Sequence, residues 1–201
     1  MLLTHLYLKT FRNYEDTHVH LVPGVNAFYG ENGQGKSNFI EALHFLVTGQ
    51  SFRTPRYKDL LMKGEPYAYI ELDFQKEGVN QHLQIYFDLK EKRIYHNHTA
   101  YTQLRHLLGI LQGVTLSPED LMLTRGSPDL RRSVLNLYIS QYDPLYVYHL
   151  LRYQKALKQR NALFRFRSLE GIVCWECELA RSAAYLMSKR VEALQELEEN
   201  M

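Results

Sequence analysis

The feature that most constrains this chain is a glycine-rich tract, Gly30-Glu31-Asn32-Gly33-Gln34-Gly35-Lys36-Ser37. It matches the pattern G-x-x-x-x-G-K-[ST], in which backbone N–H groups close around phosphate oxygens. The segment after it carries apolar side chains at helical spacing, at Phe39, Ile40, Leu43 and Leu46/Val47. Gly49 follows where a helix-ending glycine is expected. A phosphate loop that leads into a helix over residues 36–48 predicts an α/β fold.

The side chains of this tract are suited to hold a nucleoside triphosphate and its metal. In loops of this pattern the lysine, here Lys36, reaches the β- and γ-phosphates, and the hydroxyl of Ser37 ligates Mg²⁺. The N-terminus of the following helix adds its positive end. A glycine turn without a ligand is the alternative interpretation. The chain has no Asn-Lys-x-Asp motif, which weighs against a Ras-like GTPase.

Alternation of apolar and polar residues predicts strands on both sides of the loop. The expected strands are 2–8, 17–22, 25–29, 67–75 and 81–88. Pro23-Gly24 is the clearest turn before the loop, and Gly78 is typical of a hairpin after it. We therefore expect an antiparallel β subdomain over about residues 65–98.

Phosphoryl transfer also needs an acidic residue that holds the metal at the end of a buried strand. The best candidate is Asp88, at the end of the segment 83–88. We reject it, because the segment alternates like a strand with one exposed face and no acidic residue follows Asp88 directly. The chain thus offers a phosphate site without the metal-binding carboxylate of a complete ATPase.

From Ser117 onward the chain is predicted to be helical, with Ser117 and Ser127 as N-caps and a proline after each. The last helix has a 4-3-4-3-4-3 spacing that is typical of a coiled-coil seam. The seam residues are Val173, Cys177, Ala180, Ala184, Met187, Val191 and Leu194. The helix before it presents Leu150, Tyr153, Leu157 and Phe164 on one face. A break around residues 168–171 would let the two helices pair antiparallel, and an ordinary helix on a globular core is the alternative.

The net charge of +2 conceals a basic segment. Residues 125–167 carry 9 basic and 2 acidic side chains, whereas residues 168–201 carry 3 and 7. The basic residues are Arg125, Arg131, Arg132, Arg152, Lys155, Lys158, Arg160, Arg165 and Arg167. Such a segment is either a solvated helix face or a surface that follows a phosphate backbone and binds more weakly as salt rises.

Cysteine usage favours a reducing cytoplasm, since the chain has two cysteines, no apolar leader and no run of about 20 apolar residues that could span a membrane. Cys174 and Cys177 have C-x-x-C spacing, but no second pair accompanies them. We interpret Cys177 as a small residue of the seam. His96 and His98 alternate on an expected strand with no cysteine or carboxylate cluster at ligand spacing.

A series of tracts in the chain resembles the RecF family, the bacterial recombination mediator ATPases related to SMC proteins. The matching tracts are FRNY at 11–14, SNFIEAL at 37–43, GQSFRT at 49–54, LSPEDL at 116–121, RGSP at 125–128 followed by Arg131-Arg132, and LKQRNAL at 157–163. A phosphate loop alone would indicate only a superfamily. The order of these tracts makes the resemblance specific.

This resemblance implies the first lobe of an ABC-type ATPase head with an antiparallel β subdomain, followed by a helical arm. We place the head at residues 1–142 and the arm at residues 143–201. In the family a second lobe supplies a Ser-Gly-containing signature, a metal-binding Asp beside a catalytic Glu, and a switch His. The chain has no Ser-Gly pair, so we expect that lobe to be missing and the chain alone to hydrolyse no appreciable ATP.

The resemblance also implies ATP and Mg²⁺ as ligands and an ATP-dependent homodimer in full-length members. Arg12 and Asn13 are expected beside the nucleotide, with Arg12 reaching a phosphate. Family members bind DNA near single-strand/double-strand junctions, including gapped duplexes, work with RecO and RecR to load RecA, and support the SOS response. The candidate DNA-binding residues are Arg53, Arg56, Arg125, Arg131 and Arg132.

A small-molecule kinase that shares the phosphate loop is the alternative from another functional class. In such an enzyme Arg53, Arg56 and Lys58 would form a lid over the acceptor. The predicted helical hairpin argues against this interpretation, because a compact kinase does not need one.

Overall fold

The alternating segments form one antiparallel sheet in a computed structural model, which describes residues 1–101, 103–117, 120, 122–166 and 170–200. The strands are β1 (Leu2–Phe11), β2 (Tyr14–His20), β3 (Tyr67–Lys76), β4 (Val79–Asp88), β5 (Lys92–His96) and β6 (Thr99–Tyr101). The α-helices are α1 (Lys36–Thr48), α2 (Met122–Arg125), α3 (Pro128–Ser140), α4 (Pro144–Arg165) and α5 (Ile172–Glu199). Short 3₁₀ helices span Tyr57–Leu60 and Leu104–Leu107. The strand order across the sheet is β2-β1-β3-β4-β5-β6.

One face of the sheet is apolar because buried side chains alternate along its central strands. Leu6 and Leu8 of β1 and Ile70 of β3 have no exposed surface. α1 packs on this face, where the rings of Phe45 and Phe87 lie 5.8 Å apart. The opposite face of the same strands therefore carries the polar residues of the alternation.

β3 and β4 pair along their full length, from Tyr67 opposite Asp88 to Lys76 opposite Val79. The turn between them has positive φ at both residues, 53° at Glu77 and 79° at Gly78. Two positive φ values are the mark of a type I′ turn, whose twist matches that of the flanking strands. The predicted hairpin is confirmed, and β3 to β6 are antiparallel as expected but continue the same sheet as β1 and β2.

α1 is flanked by glycines at both ends. Gly35 is its N-cap with a φ of 101°, and Gly49 is its C-cap with a φ of 69° and donates its N–H to the Phe45 carbonyl oxygen at 2.8 Å. A Cβ at Gly49 would lie 2.7 Å from the carbonyl oxygen of Leu104, so this position needs glycine for space as well as for conformation. The helix predicted over residues 36–48 is confirmed, although Ile40 is 40% exposed rather than packed.

The strand predicted over residues 25–29 is wrong. Val25 and Tyr29 are 91% and 95% exposed, and the segment has no ladder hydrogen bonds. A strand needs a neighbour for its N–H and C=O groups, and no strand of the described sheet pairs with this segment. Asn26 instead makes a local turn, with hydrogen bonds to the backbone N–H and carbonyl oxygen of Val22.

The chain divides into two compact units, Met1–Thr115 and Leu116–Met201. In the second unit α4 and α5 lie antiparallel, as the Arg152–Glu178 ion pair and the hydrogen bond from Tyr185 to Asp143 require. α3 packs against the same helices, with Ile139 in their shared core. α3 thus lies in the second compact unit, while the predicted boundary between head and arm at residues 142 and 143 stays a prediction.

α5 packs through a different stripe from the predicted seam. The predicted seam residues, Val173, Cys177, Ala180, Ala184, Met187, Val191 and Leu194, are all exposed. The packed stripe consists of Ile172, Trp175, Leu179, Ser182, Leu186 and Ala193. The predicted seam has steps of three and four residues, and the packed stripe has the same steps apart from one of seven between Leu186 and Ala193, so heptad spacing alone cannot distinguish them. The seam role of Cys177 is therefore also wrong, and both cysteines are exposed.

The helix starts of the second unit were predicted in part. Ser127 is the N-cap of α3 and Pro128 follows it, but the serine side chain makes no capping hydrogen bond. Asp143 caps α4, accepting from the N–H groups of Leu145 and Tyr146. Ser117 donates its N–H and hydroxyl to Asp120, while the residues predicted to follow it in a helix lie largely outside the described residues, namely 118, 119 and 121. Arg167 and the predicted break at residues 168–169 also lie outside them.

No helix in the described part of the chain is long and apolar enough to cross a membrane.

Candidate nucleotide site

The glycine-rich tract forms an exposed loop that leads into α1. Gly30, Gly33 and Gly35 have φ values of 148°, 86° and 101°, which residues with a Cβ rarely adopt. No atom lies within 4 Å of a Cβ placed at Gly30 or Gly33, so these two glycines serve the conformation of the loop and leave open space beside it. The other loop residues, Glu31, Asn32 and Gln34, are exposed.

Lys36 is the first residue of α1, and its side chain folds back over the loop. Its Nζ donates to the carbonyl oxygens of Gly30 and Glu31 at 2.8 and 2.6 Å. Ser37 lies next to it in the first turn of α1 and is exposed. The ammonium group of Lys36, the exposed hydroxyl of Ser37 and the N-terminus of α1 lie beside an open glycine loop. These groups fit a triphosphate with Mg²⁺. The residues present therefore suit the predicted ligand.

Asn13 lies beside the N-terminus of α1. A Cβ at Gly35 would lie 2.7 Å from its Nδ2, so the two residues fit together only because residue 35 has no side chain. Asn13 Oδ1 accepts from Asn38 at 2.7 Å, and the hydroxyl of Tyr14 donates to the Gly35 carbonyl oxygen at 3.1 Å. The β1–β2 turn is thereby joined to the loop, while contact between Asn13 and a nucleotide stays a prediction.

Arg12 lies in the same turn, but in this structure it binds protein groups. Its Nε and Nη2 donate to the two carboxylate oxygens of Glu41 at 2.9 and 2.7 Å, and its Nη1 donates to the Asp59 carbonyl oxygen at 2.8 Å. A guanidinium carries five N–H donors, so two remain after these bonds. Contact between Arg12 and a phosphate stays a prediction.

Glu41 is the centre of a buried polar cluster that no motif in the sequence indicated. Its side chain has no exposed surface, although it lies on α1 among apolar neighbours. Ser51 donates to Glu41 Oε1 at 2.5 Å, and Arg53 Nη1 lies 3.5 Å from Oε2. We call Glu41, Arg12, Ser51 and Arg53 the Glu41 cluster. It brings together three of the tracts that carry the family resemblance, and the acidic residue within an apolar helical stretch was the available signal.

The charge of the Glu41 carboxyl group is set by opposing effects. Burial raises the pKa of Glu41, but hydrogen bonds from Arg12 and Ser51 and the charges of Arg12 and Arg53 outweigh it and hold the pKa below its ordinary value. Glu41 is therefore ionised at neutral pH. Its ion pair fixes the end of β1 and residues 51–53 against α1, next to the loop.

Asp88, which the sequence did not favour as a metal ligand, has a structural role at the end of β4. β4 pairs antiparallel with β3 and β5. Asp88 Oδ1 accepts from the N–H groups of Lys90 and Glu91 at 2.6 and 2.7 Å, which caps the β4–β5 turn. These hydrogen bonds lower the pKa of Asp88.

Arg53 and Arg56 were expected either on DNA or in a kinase lid. Arg53 Nη1 donates to Asn38 Oδ1 at 2.6 Å, and Arg56 Nε donates to Asp59 Oδ2 at 3.3 Å. Both side chains are thus held against residues of their own unit, which does not favour a lid over an acceptor. Their contact with DNA stays a prediction.

The other three candidate arginines lie around the start of α3, and all are exposed. Arg125 is the last residue of α2, and Arg131 Nη1 donates to the carbonyl oxygens of Leu123 and Gly126 at 3.2 Å. Arg132 pairs with Asp129 one turn earlier. Their guanidinium groups can meet a phosphate backbone from solvent, and that contact also stays a prediction.

Comparison with known proteins shows which families this chain resembles. A family model described as an AAA domain matches residues 5–108, which is more than half of the chain. The DNA replication and repair protein RecF of Protochlamydia amoebophila is 42% identical over 198 residues, 98% of this chain and 55% of that protein. RecF of Chlamydia abortus is 39% identical over 190 residues, with coverages of 94% and 52%. The chain spans about half the length of these curated relatives.

Solved structures agree with this assignment. The structure of the recombination mediator protein RecF-ATP in the RecFOR pathway matches with a TM-score of 0.92 at 28% identity, over 98% of this chain and 54% of that one. The corresponding RecF-ATPrS structure matches with a TM-score of 0.91 at 29% identity, with coverages of 97% and 54%. The predicted fold class, an α/β head lobe of the ABC type with an antiparallel sheet, is confirmed. This chain belongs to the AAA domain family and is a homologue of the N-terminal portion of RecF.

Proposed function

We propose that this chain binds ATP with Mg²⁺ at the loop formed by residues 30–37 and serves DNA replication and repair as part of a RecF-type protein. The observation that carries the proposal is the open glycine loop at the N-terminus of α1, with Lys36 folded over it. The relatives that match almost the whole chain are DNA replication and repair proteins, and one matching structure is of RecF-ATP.

In this proposal the loop N–H groups and Lys36 hold the phosphates, and the hydroxyl of Ser37 ligates Mg²⁺. ATP supplies the phosphate charge that the loop and the helix N-terminus neutralise. Asn13 lies at the loop through its contact with Gly35, and Arg12 keeps two N–H donors beyond those that bind Glu41 and the Asp59 carbonyl oxygen. The cluster keeps these residues in place, so we assign Glu41 a positioning role.

Titration of Mg²⁺-ATP against the chain and its Lys36→Ala variant tests the nucleotide site. We expect the variant to lose most of its affinity, because the ammonium group is the largest single positive charge at the loop. Lys63→Ala, which removes an exposed lysine outside the loop, is the matched control and should bind as the unmodified chain does. Equal affinity in the Lys36→Ala variant would overturn the assignment.

We further propose that exposed arginines at the start of α3 contact DNA. Arg125, Arg131 and Arg132 supply positive charge on a segment that has few acidic residues. Binding to single-stranded and gapped duplex DNA should weaken steeply as salt rises, because each phosphate contact releases counterions. At a fixed salt concentration, the double variant Arg131→Glu/Arg132→Glu should bind DNA more weakly than the unmodified chain. Arg181→Glu, on the exposed surface of α5, is the control and should bind as the unmodified chain does. Salt-independent binding, or no effect of the double variant, would contradict this surface.

The remaining proposals come from the RecF relatives. We propose that the protein works with RecO and RecR to load RecA at gaps, supports the SOS response in the cytoplasm, and forms an ATP-dependent homodimer when the whole RecF-type protein is present. The 201-residue chain alone should hydrolyse no appreciable ATP, because it contains no Ser-Gly signature. A phosphate-release assay with purified chain tests this, and robust turnover would contradict it.

A further inference from the structure

The polar face of the sheet carries metal-ligating side chains away from the nucleotide loop. Glu71 and Asp73 alternate on β3, and His82 lies opposite Asp73 on β4. One ligand atom from each of the three lies within 4.8 Å of the other two. We call these residues the histidine–carboxylate cluster. Among the residues that the structure describes, no other group of three His, Cys, Asp or Glu side chains has ligand atoms this close together.

Each carboxylate of the cluster has one oxygen near His82 and the other held by a neighbour. Asp73 Oδ1 lies 2.6 Å from His82 Nδ1, and its Oδ2 lies 3.4 Å from His5 Nδ1. Glu71 Oε1 lies 3.9 Å from His82 Nε2, and Tyr69 donates to its Oε2 at 2.6 Å. Metal-binding carboxylates are commonly oriented by such outer hydrogen bonds. Asp73 Oδ2 and Glu71 Oε2 are thus held by neighbours, while Asp73 Oδ1 and Glu71 Oε1 face the imidazole of His82.

The sheet itself sets the positions of the cluster. His5 of β1 is the register partner of Asp73, which in turn is the register partner of His82. His5 Nε2 also lies 3.0 Å from His18 Nδ1 on β2, so the row of polar side chains continues across four strands. Ladder hydrogen bonds hold the backbone of all four, and the ligands therefore need no folding transition to meet.

We propose that the histidine–carboxylate cluster binds Zn²⁺ through one ligand atom each from Glu71, Asp73 and His82, with a fourth position open to water. An imidazole with two carboxylates is a donor set that Zn²⁺ accepts, whereas Mg²⁺ and Ca²⁺ prefer oxygen ligands alone. In a tetrahedral site with bonds of ~2.1 Å, ligand atoms lie about 3.4 Å apart. The three ligand atoms lie within 4.8 Å of one another, which exceeds this value by little more than 1 Å. Asp73 faces His82 Nδ1 and Glu71 faces His82 Nε2, so the ion takes one of these nitrogens and the carboxylate on the other side must turn toward it.

The site is accessible and independent of the nucleotide loop. The side chains of Glu71, Asp73 and His82 are 24%, 42% and 35% exposed, so an ion can enter from solvent. α1, which carries Lys36 and Ser37, packs on the opposite, apolar face of the sheet. Zn²⁺ bound here would cross-link β3 and β4 and stabilise the folded chain by mass action.

Isothermal titration of Zn²⁺ into the nucleotide-free chain tests the proposal, with Co²⁺ absorption spectra as a second measure of ligation. The unmodified chain should bind one Zn²⁺ with saturation. His82→Gln and Asp73→Asn should each weaken binding more than about 100-fold, and Tyr69→Phe about 10-fold, since loss of an outer partner costs about 10–100-fold. His98→Gln, in the exposed β5–β6 turn, is the matched control and should change nothing.

Three outcomes would overturn the site. The first is the absence of saturable Zn²⁺ binding by the unmodified chain, which would leave the cluster as a surface hydrogen-bond network. The second is unchanged binding by His82→Gln and Asp73→Asn variants whose circular dichroism and thermal unfolding match the unmodified chain. The third is loss of binding in His18→Gln with retention in His82→Gln, which would place the ion on the histidines of β1 and β2 instead.

Discussion

The two compact units of the chain are stabilised in different ways. In Met1–Thr115 the sheet presents a continuous apolar face, and side chains such as Leu6, Ile70 and Phe45 are fully or almost fully buried. In the described residues of Leu116–Met201 the helices share a small apolar cluster, whose buried side chains are Ile139, Tyr146, Leu186 and Ala193. A sheet covered by a helix buries alternate residues of several strands at once, whereas paired helices meet only along narrow stripes.

In the second unit, hydrogen bonds add to the stability that its small apolar core provides. Tyr146 is buried, and its hydroxyl donates to Asn136 Oδ1 at 2.6 Å. Arg190 of α5 donates to the Tyr146 hydroxyl at 3.0 Å and to Asn136 Oδ1 at 2.8 Å. This network joins α3, α4 and α5. We therefore expect apolar truncation to be most costly in the first unit, and loss of single hydrogen bonds to be measurable in the second.

The largest effect is expected from Phe45→Ala. The ring is 1% exposed and packs between α1 and the sheet, so its removal leaves a cavity and should lower the free energy of unfolding by about 3–5 kcal/mol. Urea unfolding followed by circular dichroism measures this change. Ile40→Ala on the exposed side of the same helix is the control and should cost less than about 1 kcal/mol. Equal costs for the two variants would contradict the packing of α1.

The Glu41 cluster is the polar exception in the first unit, and Glu41→Gln should have the second largest effect. Loss of one partner from a buried ion pair costs about 3–5 kcal/mol. Because glutamine retains some hydrogen bonds and Arg12 is 23% exposed, we expect about 2 kcal/mol in the free energy of unfolding. The same variant should weaken ATP binding only through displacement of the loop, so Lys36→Ala should have the larger effect on affinity.

The lowered pKa of Glu41 makes the stability difference between the unmodified chain and Glu41→Gln depend on pH. A carboxyl group whose pKa is lower in the folded state stabilises the protein above its unfolded pKa, about 4.3, and loses that contribution as pH falls through the folded value. The stability difference between the unmodified chain and Glu41→Gln should therefore narrow as the pH falls below about 4.3. A difference that stays constant down to about pH 3 would show that Glu41 is not stabilised as an anion.

In the second unit, Tyr146→Phe should lower the free energy of unfolding by about 1–2 kcal/mol. It removes one hydroxyl that both donates to Asn136 and accepts from Arg190, while the ring continues to fill the core. Tyr142→Phe is the matched control, because Tyr142 is 47% exposed and should change stability by less than about 0.5 kcal/mol. If both variants are neutral, the network contributes little and the small apolar core alone holds these helices.

The sequence predicted the parts of the molecule that local patterns determine. Alternation identified β3 and β4, Gly78 located their turn, and Lys36–Thr48 was predicted with its glycine cap. The glycine loop and the helix after it were located from spacing alone, because both depend on backbone conformation and adjacent residues, while phosphate binding at the loop stays a prediction.

Features that depend on distant neighbours were missed. Residues 25–29 were predicted as a strand, but no strand of the described sheet pairs with them. Glu41 meets Arg12 and Ser51 only after β1 and residues 51–53 fold against α1. The histidine–carboxylate cluster likewise depends on the register of β3 with β4, which places Asp73 beside His82. Single-chain periodicity contains none of this information.

The smallest expected effect distinguishes the two stripes of α5. Val191 belongs to the predicted seam but is 54% exposed, so Val191→Gln should change the free energy of unfolding by less than about 0.5 kcal/mol. Leu186, 2% exposed in the packed stripe, is the reference, and its replacement by alanine should cost about 2 kcal/mol or more. A reversed order would restore the predicted seam and rotate α5 against α4. The near-neutral result is informative because both stripes satisfy heptad spacing, and the packed one is distinguished by its fit to Tyr146 and Ile139 rather than by its period.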